Sequence, residues 1–384
     1  MDKKRSLFFD TSLIYFIVII LFVGLRIFTN LVPINDGVSV LLNFLIQIGF
    51  MFLVPLVLYK LLRKRKTKEV FKEFNVKKIN FKAILITILI GFIVYFLNLA
   101  IASFFNIFIY GTGYDPSFGM SSATTSYPTI NFIRDIIITA ILPGICEEFC
   151  HRGLLVNGYK QLGMKKTIIL VGFLFGLMHL NIEQFFYASV IGMFLTFLVY
   201  VTGSIIPSMI VHFMNNFMGL YLTFASFHNL PLGKFSEKLG SALVNSDAFL
   251  AFVAIIFFVI LFLGLLAFLV YVLMKNTRVK QFEKLAQKAI EKKQREELFN
   301  EFNLDANEID KAEGKTEDEK MPEVVFKNRP NGLRGVIVDI NFTNNMLEGE
   351  YFIKKPSLKD KIFLYGTIFI GVVITISTLI WGLL

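Results

Sequence analysis

Residues 130–155 read INFIRDIIITAILPGICEEFCHRGLL. The stretch is long enough to cross a hydrocarbon core as a helix, which takes about 20 mainly apolar residues. Arg134 and Asp135 sit near one end, where charged groups belong, but Glu147, Glu148, His151 and Arg152 come late in the same apolar run. An ionisable group inside a membrane span costs about 3 kcal/mol or more, so such groups mark function by default. Pro143-Gly144 stands just upstream. A proline inside a helix removes a backbone hydrogen bond and bends the axis, which makes room for a polar cavity beside Glu147.

Similar apolar runs lie on both sides, at 12–32, 38–59, 83–110, 167–180, 185–201, 204–227, 248–274 and 362–384. With 130–155 they give an all-α polytopic membrane protein of about nine transmembrane helices. The fifth and sixth runs are short and fit either two tilted helices or a re-entrant pair. Composition agrees: of 384 residues 55% are hydrophobic, 44 are Phe, and only 18% are charged, against about 25% in a soluble domain. Disorder, a disulfide scaffold and an ordinary soluble globule are excluded. The start, MDKKRSLFFD, is built like a signal peptide, but no small-residue cleavage site follows and it reads as an uncleaved first span.

Charge orients the chain. Lys3, Lys4, Arg5, the basic block 60–82, Lys160, Lys165, Lys166 and the segment after Lys275 fall on one side, whereas the opposite loops hold only Lys234 and Lys238 as basic residues. The positive-inside rule places the N-terminus in the cytosol of a multi-pass cell-membrane protein. The net charge of +10 then reflects anionic lipid rather than a nucleic-acid partner, for which no motif is present. Five parts follow: 1–82, two spans and a basic loop; 83–227, the membrane core; 228–274, an outer loop and the eighth span; 275–361, a cytosolic insertion with a basic amphipathic stretch, an acidic linker and a hairpin-prone end; and 362–384, the last span. Cys146 and Cys150, one turn apart, would constrain little as a disulfide.

Two further polar groups interrupt apolar runs: His179, and His212 with Asn215 and Asn216. At 1.5 Å per residue, Glu147 lies about 24 Å from the outer end of its span, His179 about 18 Å from the inner end, and His212 about 12 Å. These depths let the groups meet in one site. Glu148 and Arg152 are four apart with the acid first, the favourable order for an ion pair on one helix face. His212 and Asn216 share a face in the same way. A carboxylate and an imidazole can hold and deprotonate water, while a second imidazole and an amide can donate to a developing oxyanion. The HExxH signature of helix-borne zinc sites is absent, although Glu147, His179 and His212 could serve as ligands to a divalent metal such as zinc.

The three groups fall into a pattern. Glu147-Glu148-x-x-x-Arg152-Gly153 resembles the EExxxR motif of the CPBP family, the CAAX proteases and bacteriocin-processing proteins. Phe175 to His179 resembles its FxxxH motif, and His212 to Asn216 its HxxxN motif, which selects Asn216 over Asn215. The resemblance covers roughly 83–227. It implies a helical bundle around a cytosol-facing cavity and endoproteolysis of a peptide or membrane-protein substrate at the bilayer. It also implies Glu147 as general base, His179 holding the water, His212 and Asn216 as oxyanion donors, and Glu148 with Arg152 in support. The family is described both as metalloproteases and as metal-independent glutamate proteases; the reading adopted is that no cofactor is required. His151 departs from the family, which usually has an apolar or aromatic residue before the arginine. A regulatory or immunity protein that binds a partner without cleaving it is the alternative, and oligomeric state is not set by the sequence.

Overall fold

The computed structural model describes residues 6–115, 126–245, 247–279 and 356–383. The chain divides into two units, Met1–Leu273 with Lys354–Leu384, and Met274–Ile353. Of the second unit, only one wide helical turn, Lys275–Val279, is described. The acidic linker and hairpin-prone run expected within 275–361, and nearly all of the basic stretch, lie outside the described residues.

Among the described residues every regular element is a helix. They are α1 (Leu7–Leu31), α2 (Asp36–Arg63), α3 (Thr67–Glu73), α4 (Phe81–Tyr110), α5 (Thr129–Leu162), α6 (Met164–Met178), α7 (Ile182–Thr202), α8 (Ile206–Phe227), α9 (Pro231–Asn245), α10 (Ala248–Met274) and α11 (Leu358–Leu383). Seven of these, α1, α2, α4, α5, α7, α10 and α11, are long and apolar enough to span a membrane. The other two expected spans differ for physical reasons. Helix α6 has only 15 residues, and α8, with 22, is diluted by Pro207, Ser208, His212, Asn215 and Asn216. Two further helices occupy stretches left as loops by the sequence reading. Proline at the first position, which needs no N–H there, starts α9. The Glu69 carboxylate caps α3 by accepting the Lys66 N–H at 2.7 Å.

Helix α5 is central, packed against α1, α2, α6 and α8. Its Phe149 meets Phe52 of α2, with ring centroids 4.5 Å apart, and Phe74 after α3 at 5.1 Å. Helices α6 and α7 form a close hairpin through Asn181, whose side chain accepts the Glu183 N–H at 2.7 Å. Small residues make the approach possible: a Cβ on Gly172 would stand 2.6 Å from the Met193 nitrogen, and one on Gly192 3.0 Å from the Gly172 Cα. Such close backbone approach is a usual way for membrane helices to associate, because lipid supplies little hydrophobic drive between them.

Helices α2 and α5 are not uniform. Wide turns, with hydrogen bonds reaching five residues rather than four, run over Leu45–Leu53 of α2 and over Ile136–Ile141 and Phe149–Leu155 of α5. The latter two bracket Glu147 and Glu148. At the start of α5, Tyr127 donates to Asp135 at 2.9 Å, and its backbone carbonyl meets His228 Nε2 at 2.9 Å. Burial and that bond to a carboxylate push the Tyr127 phenol up to about 12.

Candidate active site

The paired acids of α5 have different surroundings. Glu148 is fully buried, and its Oε1 accepts from Arg152 Nη1 at 2.8 Å and from His212 Nδ1 at 2.8 Å. The second arm of Arg152 donates to the Gly192 carbonyl of α7 at 2.9 Å. Glu147 is turned about 100° away on the helix. One of its oxygens, Oε1, accepts the Gln47 amide of α2 at 2.9 Å; the other, Oε2, stands 4.0 Å from His212 Nε2. Glu147 therefore faces the space between α2 and α8, while Glu148 is enclosed between α5, α7 and α8.

Phe175 of α6 ties these groups together. The Arg152 guanidinium lies 4.5 Å above its ring centre. The rings of His151, His179 and His212 meet it at steep angles, with centroids 5.1, 5.1 and 5.6 Å away. A cation over the ring face and imidazoles set edge to face suit the quadrupole of an aromatic ring. The His179 Nδ1–H donates to the Phe175 carbonyl at 2.9 Å, which leaves Nε2 as the end that can accept.

His151 is fully buried. In the neutral ring, Nδ1–H donates to the Glu147 carbonyl at 2.8 Å and Nε2 accepts the Tyr15 hydroxyl of α1 at 3.0 Å. The ring thus props the backbone of Glu147 where the wide turn begins. Asn216 lies at the half-buried edge of the cluster. Its Nδ2 donates to the Thr139 carbonyl at 2.8 Å and its Oδ1 accepts from Asn215 at 3.2 Å. Thr139 lies in the wide turn Ile136–Ile141, so this amide ties α8 to the irregular part of α5 just before Pro143.

The structure brings Glu147, Glu148, Arg152 and His212 into direct mutual range and joins His179 to them through Phe175. It keeps Asn216 one turn along α8 from His212. Three participants were missed by the sequence reading. Gln47 and Tyr15 are uncharged and escape a search for ionisable groups in spans, although Gln47 is a polar break in LIQIGFMFL. The Gly192 carbonyl, a backbone atom, has no sequence signature beyond the glycine. Among the described residues no three His, Cys, Asp or Glu side chains group as metal ligands would. His212 gives Nδ1–H to Glu148, His179 gives Nδ1–H to Phe175 and Glu147 has one oxygen taken by Gln47, so Nε2 of each histidine and Oε2 of Glu147 are the atoms that would hold a divalent metal. Cys146 and Cys150 are buried free thiols.

A carboxylate pair with two imidazoles, enclosed in a multi-pass helical bundle, defines an intramembrane site equipped for acid–base chemistry. Residues 129–218 match the family model described as type II CAAX prenyl endopeptidase, Rce1-like. This segment runs from the start of α5 to the middle of α8 and holds all three motifs, in keeping with the resemblance to the CAAX proteases. No curated protein and no solved structure matches it.

Proposed function

We propose that this protein is an intramembrane endopeptidase in which Glu147 activates a water. The observation that carries the reading is the division of labour within the acid pair. Glu148 is locked by Arg152 and His212, whereas Glu147 keeps one oxygen 4.0 Å from His212 Nε2. That gap is too long for a hydrogen bond and short enough for one water to touch both groups. Glu147 takes a proton from this water as its oxygen attacks the scissile carbonyl, with the His179 Nε2 lone pair accepting the second O–H. The negative charge moves to the carbonyl oxygen, toward His212 Nε2–H and the second N–H of Asn216. Glu147 then hands its proton to the departing amine. Because His212 Nδ1–H is held by Glu148, Nε2 donates only in the imidazolium form; in that form two carboxylates face two cations and the cluster is neutral.

The expected orientation, with basic loops and the N-terminus in the cytosol, opens the site to peptides arriving from the cytosolic side. The substrate class is a membrane-associated peptide, either a prenylated CAAX-type tail or a leader peptide. The test is cleavage by the full chain in liposomes, using synthetic farnesylated tails and leader peptides read by mass spectrometry. Glu147→Gln should lower the rate about 10³-fold at unchanged expression, and a chelator should leave the wild-type rate unaltered. Loss with chelator and recovery with zinc would replace Glu147 with a metal as the activator of water. A Glu147→Gln variant that cuts like wild type, or that keeps its cellular function when no peptide is cut, would overturn the protease reading in favour of a partner-binding protein.

A further inference from the structure

Asn216 is the last member of a chain of three amides that crosses from α4 to α5. Asn98 Nδ2 donates to Asn215 Oδ1 at 3.1 Å, Asn215 Nδ2 to Asn216 Oδ1 at 3.2 Å, and Asn216 Nδ2 to the Thr139 carbonyl at 2.8 Å. An amide side chain has one accepting and one donating end, so fixing either end fixes its direction. The Thr139 carbonyl can only accept. Asn216 must therefore present its NH2 group to Thr139 and its oxygen to Asn215. Asn215 must then donate forward and accept from behind, and Asn98 must donate. Reversal would set two carbonyl oxygens 2.8 Å apart with no proton between them. The far end bears the mark of this direction: the Asn98 Oδ1 is buried with no hydrogen-bond partner.

We propose that the Thr139 carbonyl sets the polarity of this chain and that Asn98 and Asn215 are positioning residues, which hold the donating end of Asn216 toward the site. Asn216 keeps a second N–H beyond the one given to Thr139, and the chain prevents the amide from flipping to offer an acceptor in its place. The kinetic consequence rests on the hydrolytic reading above; the polarity of the chain does not.

Two measurements on the full chain in liposomes test it. On a peptide that wild type cuts, Asn98→Leu should lower kcat about tenfold with KM little changed, a part of the ~10²–10³-fold that deleting an oxyanion donor costs. Asn98→Ser keeps an O–H donor and should retain most of the rate. The second measurement is thermal unfolding with and without Asn216→Leu. Leucine at 216 cuts the chain at its site end, so the Tm loss caused by Asn98→Leu should shrink to about half or less in that background, a coupling that independent sites do not show. Equal Tm losses in both backgrounds, or an Asn98→Leu variant as active as wild type, would overturn the inference. Cleavage by Glu147→Gln would sink the hydrolytic reading while the unfolding cycle still judged the chain.

Discussion

His212 Nδ1 donates to Glu148 Oε1 at 2.8 Å, on the same oxygen that takes an arm of Arg152. The contact joins two motifs that are 64 residues apart in sequence. It makes Glu148 the orienting partner of an imidazole as well as half of an ion pair. The ring is held so that Nε2 aims at Glu147, which is the role a buried carboxylate plays beside a catalytic histidine.

Glu148→Gln and Arg152→Met should therefore fail differently. Glutamine keeps the shape of Glu148 but brings an NH2 group against donors on both sides, so the imidazole loses its orientation. Cleavage should fall roughly 10²–10⁴-fold with a moderate loss of Tm. Methionine at Arg152 leaves the Glu148 carboxylate enclosed without its permanent cation, a change that costs about 3–5 kcal/mol. Its signature is a large fall in Tm. A Glu148→Gln enzyme of near-normal kcat would show that His212 needs no orienting acid.

Gln47 offers a subtler change on the other acid. Its amide donates to Glu147 Oε1 at 2.9 Å from the wide turn of α2. This bond fixes the carboxylate plane so that Oε2 is the oxygen facing His212. Gln47→Leu removes it in an apolar setting and should cost about 1 kcal/mol of stability, with kcat reduced about tenfold as the carboxylate rotates. Gln47→Glu should be worse than leucine, because it sets a second acid against Glu147. Comparing kcat and Tm for the pair separates positioning from packing: if leucine and glutamate variants match wild type in kcat, the bond has no role in the chemistry.

Much of this arrangement was legible in the sequence because the membrane makes polar residues conspicuous. The helical class, the spans around 130–155 and the Glu148–Arg152 pairing follow from apolar run length and helical spacing alone. The structure adds what spacing cannot show. Helix α8 looks like a span by length but is weakened by the same His212, Asn215 and Asn216 that make it a site helix. Phe175 reads as packing for His179, and only in three dimensions does it also meet His151, His212 and Arg152. The wide turns around Glu147 leave no mark beyond Pro143, since they arise when side chains from other helices, or His151 itself, take up the loosened carbonyls.

The constraint on α7 is read from a glycine. Gly192 packs so closely on α6 that a Cβ would lie 3.0 Å from the Gly172 Cα and 3.1 Å from both the Gly172 carbonyl oxygen and the Phe175 Cβ. Its carbonyl also receives two donors, Arg152 Nη2 at 2.9 Å and Thr196 Oγ1 at 2.8 Å. Gly192→Ala must push α6 away or displace Phe175, and overpacking of this kind costs about 1–3 kcal/mol. Since Phe175 touches three imidazoles and Arg152, activity should fall more steeply than stability. Thr196→Val removes one donor from the same carbonyl without adding bulk, for a cost of about 1 kcal/mol and little change in cleavage. Measured together, the two variants separate the causes. Equal losses of activity would mean that the hydrogen bonds of the Gly192 carbonyl, rather than the closeness of α6 and α7, hold the site in shape.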